Sequence, residues 1–371
     1  MFRIARPAGV ARPITIVAAL AIAALVTGCG NAPPPTHSAS ATPAPTVRSS
    51  SSTPPVDLKP VLGGLLDRNG VPPAAYVNSL GGFVVRANWS DLQPTSGGPL
   101  APDNAIDGAI TAVRALNATY HINLGLKLRV LAGTSAPDWV KDLGGRPILL
   151  LNAQNGAEGT IGRFWTGAFG AAYEQLEALL AAKYDGVAEI REVTIARCTT
   201  FYDEPFIRDT GYAPNVTALL AAGYTLAADE NCQRQEIDAD TVWHHTHSDL
   251  AFNPYEVINN GGSTRTDVHF TLSMMEYCRH VLANACVLEN NSIRVPPQPG
   301  YLTMYASMSM LGKPIAFQTA TVSRVGSLPG TLAYAISLGA NSVELPGGYE
   351  SLGTPAIFAA TSRALATNLI A

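Results

Sequence analysis

The sequence predicts a parallel α/β fold, a single-domain (β/α)8 TIM barrel, on three observations. Short β-rich runs alternate with amphipathic helical ones across residues 59–371, eight such runs occur, and no GxGxxG or GxxxxGK[ST] phosphate loop follows the first. The expected strands are 83–88, 125–131, 148–152, 192–198, 250–253, 286–289, 315–318 and 342–344. They are bounded by turn residues and rich in branched and aromatic side chains. The expected helices are 105–116, 169–183, 216–228, 267–282, 301–311 and 332–338. In the second of these Phe169, Tyr173, Leu176 and Leu180 recur at steps of three and four residues, the pattern of a helix packed by one face.

Ahead of this domain stand two segments of different character. Residues 1–28 carry Arg3, Arg6 and Arg12, then an apolar run from Ile14 to Val26 broken only by Thr15, then Thr27-Gly28-Cys29. A basic stretch, an apolar stretch and a small-residue stop describe a secretion signal. The run is shorter than the roughly 20 residues a membrane-spanning helix needs. Leu25-Val26-Thr27-Gly28-Cys29 resembles the bacterial lipobox, which implies acylation of Cys29 and attachment to the outer face of the cell membrane by more than one acyl chain. Residues 29–58 are dominated by Pro, Ser, Thr and Ala, a composition that buries no core and serves as a tether.

Removing residues 1–28 takes away three arginines and no acid, leaving 21 basic residues against 28 acidic ones, a net charge of −7. With no basic cluster present, the mild acidity argues against nucleic acid as a partner. Export allows disulfides to persist. With Cys29 assigned to lipid, four cysteines remain and three pairings are open to them; Cys198 with Cys232 and Cys278 with Cys286, neighbours along the chain, are the favoured pairs, and free buried thiols are the alternative. Zinc is not expected, because no CxxC or CxxxH spacing occurs. His244-His245-Thr246-His247 lacks an acidic or Cys partner at ligand spacing and reads as a loop. No metal or cofactor is expected, and the chain is expected to act as a monomer.

In barrels of this kind reactive groups sit just beyond the carboxyl ends of the strands. Those positions are acidic and aromatic here: Trp89 and Asp91, Asp138-Trp139, Tyr202-Asp203-Glu204, Asn253, Glu289-Asn290-Asn291, Gln318, and Glu344 with Tyr349. Flat rings beside carboxylates and amides suit a sugar, whose C–H faces stack and whose hydroxyls need polar partners. Trp89, Trp139, Trp165 and Tyr202 are the candidate platforms, with Asp91, Arg129, Asp203, Asn253, Glu289, Gln318 and Tyr349 as further binding residues. Cleaving a glycosidic bond takes two carboxyl groups on opposite sides of it, one a proton donor and one ionised.

The segment 84–94 (VVRANWSDLQP), with Ile106-Asp107, Leu128-Arg129-Val130-Leu131-Ala132-Gly133 and Ala136-Pro137-Asp138-Trp139-Val140, resembles clan-A glycoside hydrolases, the cellulase-like and β-galactosidase-like barrels. The likeness spans most of residues 80–350 in layout. It implies that Glu204 of Asp203-Glu204-Pro205 is the acid/base, since the family places its donor after strand four in an Asn-Glu-Pro motif. Two positions depart from the pattern. Asp203 stands where the family has an Asn that binds the sugar, and Gln318 ends strand seven, where the family has its nucleophilic Glu. Glu344, a lone acid closing a buried strand, is the expected second carboxylate, with Glu289 the alternative. A miscounted strand or a lost activity would also account for Gln318. The expectation is a lipid-anchored extracytoplasmic glycosidase acting on a carbohydrate; the alternative is a catalytically silent barrel that binds envelope glycan or serves as a scaffold.

Overall fold

The computed structural model describes residues 57–369. The secretion signal, Cys29 and residues 30–56 of the expected tether lie outside the described residues. Eight strands form one closed wall: β1 (Gly64–Asp67), β2 (Gly82–Asn88), β3 (Gly125–Leu131), β4 (Ile190–Ile195), β5 (His247–Ala251), β6 (Cys286–Ile293), β7 (Ile315–Thr319) and β8 (Ser342–Leu345). Each pairs in parallel with its neighbours, and β1 joins β2 and β8, so no edge is left open. The chain is a (β/α)8 barrel.

Helices α1 (Ala105–Tyr120), α2 (Gly167–Tyr184), α3 (Ala213–Ala221), α4 (Leu226–Ala239), α5 (Val268–Leu282), α6 (Leu302–Leu311), α7 (Leu328–Ser337) and α8 (Pro355–Thr367) surround it. Several are opened by a side chain that accepts from the first free backbone N–H groups: Asn104 for α1, Thr166 for α2, Asp267 for α5, Ser327 for α7 and Thr354 for α8. The expected helix 216–228 is two helices, parted at Gly223, whose φ of +88° stops the first.

One expected strand is absent from the wall, and one wall strand is unexpected. Residues 148–152 are not in the wall: Ile148–Leu151 pairs antiparallel with Glu158–Ile161 in a hairpin after β3, half in solvent, with Leu149 56% exposed. The wall instead contains β1, four residues that no expected strand covers. The two differences cancel, so the count of eight stands and β4 to β8 keep their expected places. Only a 3-10 turn, Val77–Ser79, lies between β1 and β2, and α8 covers β1. Contact there is close: Leu65 N donates to Ser362 Oγ at 2.9 Å, and a Cβ on Gly64, whose φ is +91°, would meet that oxygen at 2.2 Å.

The strands divide their residues between two cores. Leu126, Leu128 and Val130 of β3 face outward and pack with Ile106, Ile110 and Val113 of α1 and with Phe169, Tyr173 and Leu176 of α2. Lys127 and Arg129, alternating with them, face the barrel interior. The described chain enters at the amino-terminal end of the wall. There Lys59 N donates to His245 O at 2.8 Å, and Lys59 Nζ donates to Ile190 O at 2.7 Å and Thr246 Oγ1 at 2.8 Å. The entering chain therefore does not cross the carboxyl-end mouth. Among the described residues no helix is long and apolar enough to cross a membrane.

Candidate active site at the carboxyl ends of the strands

The barrel axis is ionic. Lys127 Nζ lies 2.8 Å from Asp249 Oδ2 of β5, 2.8 Å from Glu289 Oε2 of β6 and 2.9 Å from Glu344 Oε1 of β8, with all four side chains buried. One layer nearer the mouth, Arg129 Nη2 donates to Glu344 Oε1 at 2.6 Å, and Arg129 Nε lies 2.5 Å from Asp203 Oδ2. Two cations thus pair with four buried acids, while a fifth, Glu192 of β4, feels the charge of Lys127 without pairing with it and accepts from Leu62 N through Oε1 at 3.2 Å. A buried charge without a partner costs several kcal/mol, so the surplus acids hold protons. Burial, which disfavours the charged form, pushes Glu192 and Asp249 up to about 7. Burial and then Asp249 push Glu289 well above the ordinary range. Glu344 goes the other way: burial opposes its charge, but Arg129 and Lys127 together outweigh burial and hold it at about 2.

Glu204 stands in a loop that leaves β4 and returns on itself. Thr199 bridges Phe206, Phe206 N donates to Cys198 O at 3.0 Å, and Arg208 N donates to Thr200 Oγ1 at 3.1 Å. Cys198, at the foot of this loop, is bonded to Cys232 of α4, while Cys278 of α5 is bonded to Cys286 at the start of β6. The neighbouring loop after β3 locks against it: Thr134 N donates to Thr200 O at 2.9 Å, and a Cβ on Gly133, at φ +50°, would meet that same oxygen at 2.1 Å.

From this frame two adjacent carboxyls diverge. Asp203 leans to Arg129 of β3. Glu204 leans to β6, where its Oε1 accepts from Asn291 Nδ2 at 2.9 Å. The second oxygen, Glu204 Oε2, is buried with no partner among the described residues, as are Asn291 Oδ1 and Thr194 Oγ1 of β4. Burial, then the charge of Asp203, raises the Glu204 pKa above the ordinary carboxylate value, favouring the protonated form. On the far side of the mouth Gln318, half-buried at the end of β7, accepts from Arg68 Nη1 through its Oε1, and Arg68 Nη1 also donates to Thr319 O at 3.1 Å.

The structure brings together Arg129, Asp203 and Glu204 from the expected set and holds several others away. Glu344 is 1% exposed and tied through Oε1 to two cations, and Glu289 is fully buried and paired with Lys127, so neither carboxyl is open to solvent. Trp89, expected as a platform, is fully buried outside the wall; its Nε1 donates to Gln93 Oε1, and Trp139, Phe169 and Tyr173 meet it edge-on. Trp139, partly buried, donates to Gln93 O, and Trp165 packs between Phe164 and Tyr224. Tyr349 is buried and donates to Asp67 Oδ2 at 2.9 Å, and Asn253 accepts from Asn290 Nδ2 at 3.1 Å, both as internal braces. Asp91 is in solvent and accepts from Asn88 Nδ2. Tyr202 remains half-exposed near the site, accepting from Asn152 Nδ2 at 2.9 Å. Lys127, Thr194 and Arg68 carry no mark of a site in the sequence, and Asn291 stands there only as one of the residues closing strand six. The alternation of β6 carried one step past Glu289 would have turned Asn291 inward as well.

No protein-family model matches the chain, and no curated protein matches it. Solved structures similar to it include the β-glycosidase BGL167, 9% identical over 78% of this chain and 83% of that one, at a TM-score of 0.42. The Pseudomonas stutzeri endoglucanase Cel5A is 11% identical over 79% and 84%, at 0.42. An old yellow enzyme homologue from Zymomonas mobilis is 12% identical over 80% and 85%, at 0.41. These likenesses do not choose between activities.

Proposed function

We propose that the chain is a glycoside hydrolase, held by a lipid on Cys29 at the outer face of the cell membrane, with Glu204 as its proton donor. The observation that carries this reading is the state of Glu204: one oxygen fixed by Asn291, the other buried and unpartnered at the barrel mouth, and the acid form favoured by burial. A carboxylic acid held protonated at a strand's carboxyl end is what departure of a sugar oxygen requires. Carbohydrate fits the rest of the mouth. A hydroxyl both donates and accepts, so it satisfies Glu204 Oε2, Asn291 Oδ1 and Thr194 Oγ1, where a purely apolar ligand would leave all three stranded.

The test is turnover by the full chain on aryl glycosides and on envelope and plant polysaccharides. Glu204→Gln should lower sugar release on the order of 10²- to 10⁴-fold, with circular dichroism and melting unchanged. Cys29→Ala should move the protein from the membrane fraction to the soluble one. A second reading, glycan binding without hydrolysis, is favoured by Gln318, which cannot act as a nucleophile, and by the two cations that occupy Glu344. Saturable glycan binding with no product across the screen would establish it.

A further inference from the structure

Protonating a leaving oxygen is half of hydrolysis; something must also attack or stabilise the anomeric carbon from the other side. The mouth is poorly supplied with such a group. Gln318 is a neutral amide whose oxygen is occupied by Arg68. Glu344 holds Lys127 Nζ and Arg129 Nη2 on Oε1 while its Oε2 is buried with no partner among the described residues, so a covalent bond at Oε2 would take away the negative charge on which both buried cations depend. Asp249 and Glu289 are fully buried against Lys127. The remaining carboxylate is Asp203, and it is pinned: Arg129, itself anchored on Glu344, holds Asp203 Oδ2 at 2.5 Å. A carboxylate held through one oxygen is badly placed to swing onto carbon and well placed to accept a hydrogen bond through the other.

We propose that the substrate brings its own nucleophile: the site takes a 2-acetamido-2-deoxy glycoside with a 1,2-trans linkage, whose acetamido carbonyl oxygen attacks the anomeric carbon while Asp203 accepts the acetamido N–H. This rests on the reading of Glu204 as proton donor. The placement of the two acids matches the substrate's own geometry. The leaving oxygen is on C1 and the acetamido group on C2, adjacent carbons; Glu204 and Asp203 are adjacent residues whose carboxyls diverge toward β6 and β3. Glu204 gives its proton to the glycosidic oxygen as the bond from C1 to that oxygen breaks. A lone pair of the acetamido oxygen forms the new C1–O bond, and the positive charge on the ring so formed faces the Asp203 carboxylate. Water then attacks C1, the electron pair of the C1–O bond returns to the acetamido oxygen, and the water's proton restores Glu204. Two displacements leave the anomeric configuration retained. Arg129 is a positioning residue here, since it fixes Asp203 and does not touch the sugar.

The experiment compares aryl 2-acetamido-2-deoxy-β-glucoside with the matched aryl β-glucoside, using the full chain. Because an attached nucleophile is worth many orders of magnitude in effective concentration, the acetamido sugar should turn over at least about 100-fold faster. In the wild-type protein, mono-, di- and trifluoroacetamido substrates should lower kcat stepwise as the carbonyl oxygen loses basicity, and the first-formed sugar should be the β anomer. Asp203→Asn should lower kcat on the acetamido substrate more than it changes KM; the fluorine series needs no variant and stands even where Asp203→Asn fails to fold. Equal or faster release from the 2-hydroxy sugar, or no response to fluorine, overturns the substrate-assisted mechanism and leaves the hydrolase reading intact. No release from either series overturns both.

Discussion

Lys127 Nζ and Glu289 Oε2 meet at 2.8 Å on the barrel axis with neither side chain reached by solvent. The pair is not symmetrical. Lys127 also holds Asp249 and Glu344, whereas burial and Asp249 favour the protonated form of Glu289. Lys127→Met should therefore destabilise the fold by about 3–5 kcal/mol, the cost of leaving a buried charge uncompensated. Glu289→Gln, which imitates the protonated acid, should cost less than about 1.5 kcal/mol. Urea unfolding followed by circular dichroism measures both, and equal losses would mean that Glu289 is ionised.

Stability should peak on the acid side of neutrality. Glu192, Asp249, Glu177 and Glu236 are raised by burial to about 7, 7, 7 and 8 from ordinary values of 4.5, 3.8, 4.5 and 4.5. For an acid raised in the fold, the folded chain binds the proton more tightly, so its contribution is present below the unfolded value and is lost as pH rises toward the folded one. Glu344, lowered to about 2, contributes above its unfolded value and loses that contribution as pH falls toward 2. The two trends meet near pH 4 to 5, so melting temperature should fall from there toward pH 8 and, more gently, toward pH 2, because the lowered acids, Glu344 with the more exposed Glu189 and Asp267, are fewer than the raised ones. A melting profile that is flat from pH 4 to 8 would contradict the assignment.

The two disulfides should differ in weight. Cys198 and Cys232 close a span of 34 residues, Cys278 and Cys286 a span of 8. On chain-entropy grounds, the first is worth about 4 kcal/mol and the second about 2.5 kcal/mol. Replacing the first pair by Ser should also lower turnover at temperatures well below melting, because it roots the loop that presents Asp203 and Glu204. Replacing the second should change melting alone. Parallel melting and rate measurements on the two double variants separate these outcomes.

Much of this architecture is legible in the sequence because the wall strands carry strong apolar runs. β3 shows why the interior is less so. Leu126, Leu128 and Val130 announce a strand, and the same alternation turns Lys127 and Arg129 inward, but composition alone does not say that three acids from other strands and Asp203 from a loop meet them. β1 escapes notice because Gly64–Asp67 is four residues long, and the apolar run at 148–151, half exposed in its hairpin, takes its place in the count. Arg68, which follows β1, is missed with it. Because the errors cancel, Gln318 does close the seventh wall strand, so its neutral side chain is a property of the barrel and not of the counting. Trp89 and Tyr349 are misread for another reason: strand-end aromatics serve the outer core as readily as a mouth, and sequence position does not separate the two.

Asn291 tunes Glu204, and the direction of that tuning can be measured. Its Nδ2 donates to Glu204 Oε1, which favours the charged carboxylate and holds the pKa below where burial and Asp203 would otherwise take it. Asn291→Ala removes the donor, so the Glu204 pKa should rise further and the proton should be retained to higher pH. The alkaline limb of kcat/KM against pH should then move upward relative to wild type, while kcat at the optimum falls by roughly tenfold or less through looser positioning of the acid. Asn291→Asp should move the limb the same way and further, since a second carboxylate beside Glu204 adds repulsion to the lost donor. A limb that stays put in both variants while kcat drops would show that the ionisation limiting turnover belongs to another group, and Glu204 would then lose its role as proton donor.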